Sequence, residues 1–516
     1  MAIVQKIDSN ATGLRYQEET SIGVANTAND WVPLEPNSYD DFGGEITTVA
    51  RNPINASRQR QKGVTVDLDA SGGFNTDWTQ SNLQDILQGF FFADLRPKEE
   101  VGGAGEITNV DNTGNDYEAA SGLDVFAAGD LVSASGFTNE VNNGVKRVSA
   151  AAAASLTVES TGEFASTLVN ETPPSAAKLV KVGIQGTAGD IDVDASLTLP
   201  ALTTTTVNWS TEGLIPGEWI YIGGDTAGTS FTNAANNGFA RVYTVAAARL
   251  DLDKTASTMV TEASTTETIQ VFYGRVLKNE SDPTLIIRRT YQLERTLGAP
   301  DDASPAQIQA EYLEGAVPNE ITFNFSTADK INADLSFVAL DRTTIDGPTA
   351  LKAGARPALV SEDAYNTSND FSRLELAILD RTAGSNADAL FAFLQEFTLT
   401  INNNVSPNKA ISRLGAFEVT AGQFNVEGTA TAYFSTVDAV AAVRNNSDVT
   451  LDFALVKNNA GIVVDVPLIA LGNGLLDVAQ DEPITLPLDT PAAADREFDH
   501  TLLMTFFDYL PDAADT

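Results

Sequence analysis

The chain has no cysteine and a single histidine, His500, in 516 residues. The missing cysteine excludes disulfides, thiolate nucleophiles, iron–sulfur clusters and cysteine-type zinc sites. One histidine excludes His–His metal pairs and multi-histidine catalytic sites. Its context, Phe498-Asp499-His500-Thr501-Leu502, reads as the start of a final strand, with His500 an ordinary residue of it. Basic residues are scarce too: 31 Lys and Arg stand against 70 Asp and Glu, a formal charge of −39. Affinity for phosphate comes from Lys and Arg, so this balance disfavours a general nucleic-acid binder and a protein that adheres to anionic lipid. No run approaches the ~18 apolar residues of a membrane-spanning helix. The stretch Met1-Ala2-Ile3-Val4-Gln5-Lys6-Ile7-Asp8 lacks the apolar core of a signal peptide. The expectation is a soluble chain without a cleaved export signal.

Apolar residues make up 43%, enough to build sizeable cores, and the length predicts several domains. Most of the sequence alternates with period two and is rich in Thr, Val, Ile and Phe. Glu320-Ile321-Thr322-Phe323-Asn324-Phe325 and Phe397-Thr398-Leu399-Thr400-Ile401 read as strands with one buried face. The fold class is therefore all-β with few helices. Leu83, Ile86, Leu87, Phe90 and Phe91 share one face of a helix, and Phe90-Phe91-Phe92 reads as packing under a sheet. Ser304-Pro305-Ala306-Gln307 carries the start signals of a second helix bearing Ile308, Tyr312 and Leu313 and stopping at Gly315. Asn386 to Glu396 is a weaker third candidate.

Two internal repeats organise the chain. Phe137-Thr138-Asn139 with Asn142-Asn143-Gly144 recurs as Phe231-Thr232-Asn233 with Asn236-Asn237-Gly238, which predicts two tandem β modules over 98–186 and 187–275. Asn-Asn-Gly reads as a tight turn between strands. The fainter repeat sets Glu45 to Asn75 against Glu396 to Asn425, each followed by a helical stretch, Leu83 to Phe91 and Val437 to Val443. It predicts a duplicated core of two related β domains: a first over 1–97 and 276–345, interrupted by the two inserted modules, and a second over 346–516.

Signatures of chemistry are missing: no P-loop, no Gly-x-Gly-x-x-Gly opening a helix, no Gly-x-Ser-x-Gly elbow. Asp67-x-Asp69-x-Ser71-Gly72 begins like a calcium loop but has Trp78 at the twelfth position instead of Glu. Asp190, Asp192 and Asp194 fall on one face of an expected strand, where a solvated surface weighs more than an ion site. With 70 acids, paired carboxylates for glycoside hydrolysis have too many candidates to single out any pair. No catalytic residue, cofactor or metal is assigned, and the expectation is a protein that is not an enzyme.

Three stretches together resemble the tail tube (major tail) proteins of long, non-contractile-tailed bacteriophages. They are Ser57 to Gly63 with Asp67 to Asn75 and Thr79 to Asp85; Tyr312 to Asn319 with the strands Ile321 to Phe325 and Ala333 to Phe337; and Phe397 to Asn404 with Ala416 to Phe434. The resemblance implies a β-sandwich that joins its neighbours into rings stacked as a hollow tube, the conduit for genome ejection. It implies as partners further copies of the chain, a tape-measure protein in the lumen, tail terminator and tail-tip proteins at the ends, and double-stranded DNA in passage, with no membrane. The location implied is the virion tail, after synthesis in the host cytoplasm. With a duplicated core, three chains imitate a hexamer; a homohexamer of single tube domains is the alternative. The basic residues Arg51, Arg58, Arg60 and Lys62 form the candidate loop for stacking one ring on the next. Inserted modules outside such a tube act as decoration, and deleting about 100–272 is then expected to leave assembly intact. Two further readings stand beside this one: an acidic surface-layer or adhesin-type structural protein, and a carbohydrate-active enzyme on the inserted modules.

Overall fold

The computed structural model describes residues 7, 9, 12–54, 59, 61–103, 105–298, 308–347, 349–382, 384, 388–391 and 393–515. Among these residues the fold is all-β with two short α-helices, and the paired strands run antiparallel. Three large sheets lie in layers, here named front, middle and insert. Alternation dictates the front layer. Phe74, Phe323, Phe325, Leu335, Phe337, Phe397, Leu399 and Ile401 all point inward and are buried. They pack on Leu451, Phe453, Leu455, Ile462, Val464, Met504 and Phe506 of the six-stranded middle sheet. Phe325 stacks on Phe397 with centroids 3.9 Å apart, and both rings meet Phe453 edge-on. Burial of each such ring contributes about 2–3 kcal/mol.

The strands of the front layer follow one another in a row. Pro36–Val49 pairs with Val64–Asp77, which pairs with Asn332–Ala339, which pairs with Gln309–Ser326. Leu394–Asn402 adds to the far edge of Gln309–Ser326, and Thr429–Tyr433 and Thr485–Asp489 continue the row. The long strand Gln309–Ser326 bends at Gly315, φ +63, where a Cβ would collide with Leu340. Its first half pairs instead with Tyr291–Gly298 and Asp341–Asp346.

The helix Gln84–Phe91 buries Ile86, Leu87, Phe90 and Phe91 as its spacing predicts, and Asp438–Asn445 is helical where Val437 to Val443 promised it. The described residues of the other two helix candidates are not helical. From Gln309 onward the second candidate is strand, with residues 301–307 outside the described ones. Tyr312 and Leu313 are both buried because sheet pairs along both edges, a non-local gain that outweighs the local start signals. The third candidate contributes the strand residues Asp388–Ala389 and the start of Leu394–Asn402; residues 385–387 and 392 lie outside the described ones.

The insert layer is one sheet with two apolar cores, one around Tyr117, Val132 and Leu179, the other around Trp209, Ile220 and Val271. The repeated asparagines do the same work in each copy. Asn139 and Asn233 cap a short 3₁₀ turn, while Asn142 and Asn236 donate to Glu171 (2.7 Å) and Glu262 (2.6 Å). Asn-Asn-Gly is therefore no two-residue hairpin turn: Gly144 and Gly238, at φ +89 and +114, open the strand that follows the 3₁₀ turn.

The insert is seated on the middle sheet's other face. Trp219, Tyr221, Phe239 and Phe272 pack on Ala454, Val456, Val463, Phe507 and Leu510. Among them lies a buried ion network. Arg241 forks onto Asp253 (2.9 and 2.9 Å) within the insert and reaches Asp465 of the middle sheet (3.0 and 3.1 Å). Lys254 pairs with Asp452, which also takes Arg373, and Arg381 bonds Asp253 (2.8 Å) and Asp495 (3.2 Å). Burial raises the Asp465 carboxyl to about 6, against the pull of Arg241. This seat argues against the expectation that deleting about 100–272 is harmless: without the insert, Asp465 loses Arg241, Asp452 is left with Arg373 alone, and an apolar face is stripped bare.

Candidate assembly interface

The outward residues of the front row form a surface of amides, hydroxyls and carboxylates. Asn37 donates to Asn75 (2.9 Å) and Asp77 (2.5 Å). Asn75 and Asn324, on either side of the strand Asn332–Ala339, both donate to Asn332 (2.9 and 3.0 Å) and to Asp334 (2.7 Å each). The ladder continues across Thr322 and Thr400 (2.9 Å), Thr398 and Thr429 (3.1 Å), Asn402 with Glu320, and Thr431 to Glu396 (3.3 Å). Cross-strand bonds of this kind fix side chains in place. Lys330 on this face is paired with Asp77 (2.7 Å). The surface is thus polar, acidic and held flat, with the insert on the opposite side of the molecule's layers.

Sequence reading missed this face, although its signal was there: the strands quoted for their buried Ile and Phe alternate them with Thr and Asn. Those alternates are seldom Lys or Arg, which distinguishes a hydrogen-bonded wall from an ordinary solvated face.

A second feature projects from the row. Between Glu45 and Val49, and between Val64 and Val66, the paired strands Pro36–Val49 and Val64–Asp77 are exposed on both faces. This two-stranded arm shows Ile46, Val49, Val64 and Val66 to solvent, and Ile54 beyond them. An isolated hairpin is marginal in water and gains stability by packing on something else. Arg51 and Lys62 are exposed at the arm's end, whereas Arg58 and Arg60 lie outside the described residues. A second hairpin, Ser406–Lys409 with Ala416–Thr420, stands beside it and shows Ile411, Leu414 and Phe417. Lys409 bonds both Asp67 and Asp69, tying the two hairpins at their base.

Asp67 and Asp69, whose calcium-like spacing lacks the twelfth-position Glu, lie in a strand and are spent on Lys409. The Asp190, Asp192 and Asp194 face is likewise dispersed, because the strand there spans Asp192–Asp194 alone. Partial burial opposes ionisation of Asp190, yet bonds from Thr206, Thr204 and Thr205 hold its pKa well below the usual carboxylate range. Asp192 accepts from Ser264 (2.8 Å), and Ser196 and Arg249 lower Asp194 to about 2. His500 is buried just before the strand Leu503–Phe507, its Nδ1 3.1 Å from the Phe498 carbonyl. Burial, with Lys278 beside it, pushes its pKa from 6.5 to about 3.

A family model described as "Phage tail tube protein" matches residues 9–494. No curated protein matches the chain.

Proposed function

The chain belongs to the phage tail tube protein family, a structural family of the virion tail, and on that premise we propose how it builds the tube. Three chains, each with a duplicated core over 1–97 with 276–345 and over 346–516, form a ring of pseudo-sixfold symmetry. The front face lines the lumen, and the insert modules, 98–186 and 187–275, decorate the outside. The observation that carries this reading is the layering: a hydrogen-bonded acidic wall in front, a shared apolar core behind it, and the insert beyond the middle sheet.

Such a wall suits a conduit. Duplex DNA carries one charge per ~1.7 Å, and a face presenting Asp334, Glu320 and Glu396, with its Lys330 held by Asp77, repels it. Repulsion acts within about 8 Å at physiological salt, so it matters where DNA nears the wall. The tape-measure protein fills the lumen before DNA passes, and tail terminator and tail-tip proteins close the ends. The exposed arm, with Arg51 and Lys62 at its end and Arg58 and Arg60 in the sequence between them, stacks one ring on the next by laying Ile46, Val49, Val64 and Val66 against the neighbouring ring.

Electron microscopy of the purified protein tests this reading. Rings or tubes with a central hole and outward knobs are expected, and a protein that stays monomeric at high concentration overturns it. Asp334→Lys with Glu320→Lys is expected to leave tubes intact while slowing DNA release from particles built with it.

A further inference from the structure

The order of the front row repeats. Counting inward from one end, Pro36–Val49 lies beside Val64–Asp77, then Asn332–Ala339, then the second half of Gln309–Ser326. The continuation is Leu394–Asn402, then Thr429–Tyr433, then Thr485–Asp489, and outside it the segment 472–478. That last segment runs antiparallel to Thr485–Asp489, with Gly472 opposite Asp489 and Asp477 bridged to Thr485. Each strand of the first set has a counterpart in the second. The topological match sets Pro36 against Leu394, since these stand opposite Thr76 and Ala432, rather than Glu45 against Glu396 as the sequence repeat suggests.

The two sets are joined inside the chain by one junction, where Leu394–Asn402 pairs along the outer edge of Gln309–Ser326. The same two edges are bare at the ends of the row. Among the described residues no strand pairs with the outer edge of Pro36–Val49, and none with the outer edge of 472–478. The second edge is also apolar and exposed, Leu475 at 77% and Val478 at 68%. Unpaired edges next to exposed apolar side chains recruit another strand.

We propose that ring closure repeats the internal junction between chains: the edge 36–41 of one chain adds to segment 472–478 of its neighbour. The contact is head-to-tail, so each chain uses one edge as donor and the other as acceptor, which is the arrangement that makes a ring. The internal junction supplies the register. Phe325 stands opposite Phe397 and Asn324 opposite Thr398. Asp477 holds the place of Asn324, because Asp477 faces Thr485 as Asn324 faces Asn332. Tyr39 holds the place of Phe397, being opposite Phe74 as Phe397 is opposite Ala430. Between chains, Tyr39 therefore meets Val478 and Asp40 meets Asp477. The inference rests on the ring assembly proposed above and names the surfaces that perform it.

The cysteine-free sequence makes disulfide trapping specific. Asp477→Cys is combined with Asp40→Cys or with Ser38→Cys in the full chain, and Asn324→Cys with Thr398→Cys serves as the internal control. Opposed residues of antiparallel strands lie within disulfide reach. Under oxidation the control is expected to close within one chain without change of mass. At least one of the 477 pairs is expected to give covalent dimers and larger species up to the ring. Wild-type tubes with an oxidised control and no cross-link through either pair overturn the junction while leaving the assembly reading standing. Wild-type protein that forms no ring overturns both. As a second measure, Leu475→Lys with Val478→Lys is expected to abolish rings with an unchanged monomer melting profile, because both side chains are exposed in the single chain. Rings that persist in that variant count against the junction.

Discussion

The insert and the arm both leave the core, yet one is fastened and the other is bare. The insert buries aromatic rings and two cationic side chains, Arg241 and Lys254, against the middle sheet. The arm, residues 45–49 paired with 64–66, has exposed residues on both faces and is tied to a neighbour at its base through Lys409. The difference teaches that an insertion in sequence need not be an appendage in space, and that the continuous core strands carry the unsatisfied surface. A decoration that can be cut away leaves no buried charge behind it; this insert leaves Asp465 unpaired and Asp452 with Arg373 alone.

The largest expected effect breaks the seat. Lys254→Met strands Asp452 partly uncompensated in the interior and is expected to cost about 3–5 kcal/mol, read by chemical denaturation. Deleting about 100–272 is expected to abolish soluble, cooperatively folding protein; a deletion that folds and assembles shows the seat to be dispensable. At the arm the signs reverse. Ile46→Asn with Val64→Asn is expected to change monomer stability by less than about 0.5 kcal/mol while tubes fall back to single rings under the microscope.

Acid sharpens the contrast by acting on the seat. His500 lies beside Gly217 of the insert and near Arg241, Lys278 and Asp495. Its folded pKa, about 3, lies below the unfolded 6.5, so the unfolded chain takes the proton first and the contribution of His500 to stability is lost as pH drops between those values. His500 by itself is expected to withdraw about 1 kcal/mol over the first pH unit below 6.5, while Asp465, raised to about 6, protonates first in the folded chain and works in the opposite direction below that value. His500→Gln is expected to flatten that slope in denaturation curves collected across pH. The smallest effect is at the arm's base: Lys409→Gln is expected to speed amide exchange around Asp67 and Asp69 without moving the denaturation midpoint. Between chains, the proposed opposition of Asp40 and Asp477 predicts that Asp40→Asn strengthens ring formation at low salt, seen as a higher ring fraction by sedimentation.

Much of the fold was legible residue by residue. Phe323 and Phe325 alternate with Thr322 and Asn324, and that period alone makes a strand with one apolar face. The helix at Gln84–Phe91 announced itself by spacing, and the Asn-rich repeat by identity. The strand at Gln309–Ser326 did not, because Ser304-Pro305 and the spacing of Ile308, Tyr312 and Leu313 fit a helix locally, and sheet partners at Tyr291–Gly298 and Asp341–Asp346 decided otherwise. Of the candidate stacking residues, Arg51 and Lys62 were found at the exposed end of a hairpin, as a segment joining two strands should be.

The sequence by itself determined the all-β class, the two repeats, the absence of thiol and multi-histidine chemistry, and the net charge of −39. Tertiary structure decided where that charge goes: Asp452 and Asp465 into a buried network, Asp334 and Glu320 onto a polar wall, Asp67 and Asp69 onto Lys409. It also decided which strand edges stay bare. The physical reason is the same in both cases. Alternation states which side chains share a face, but the partner that covers a face or an edge comes from elsewhere in the chain, and local pattern carries no information about it.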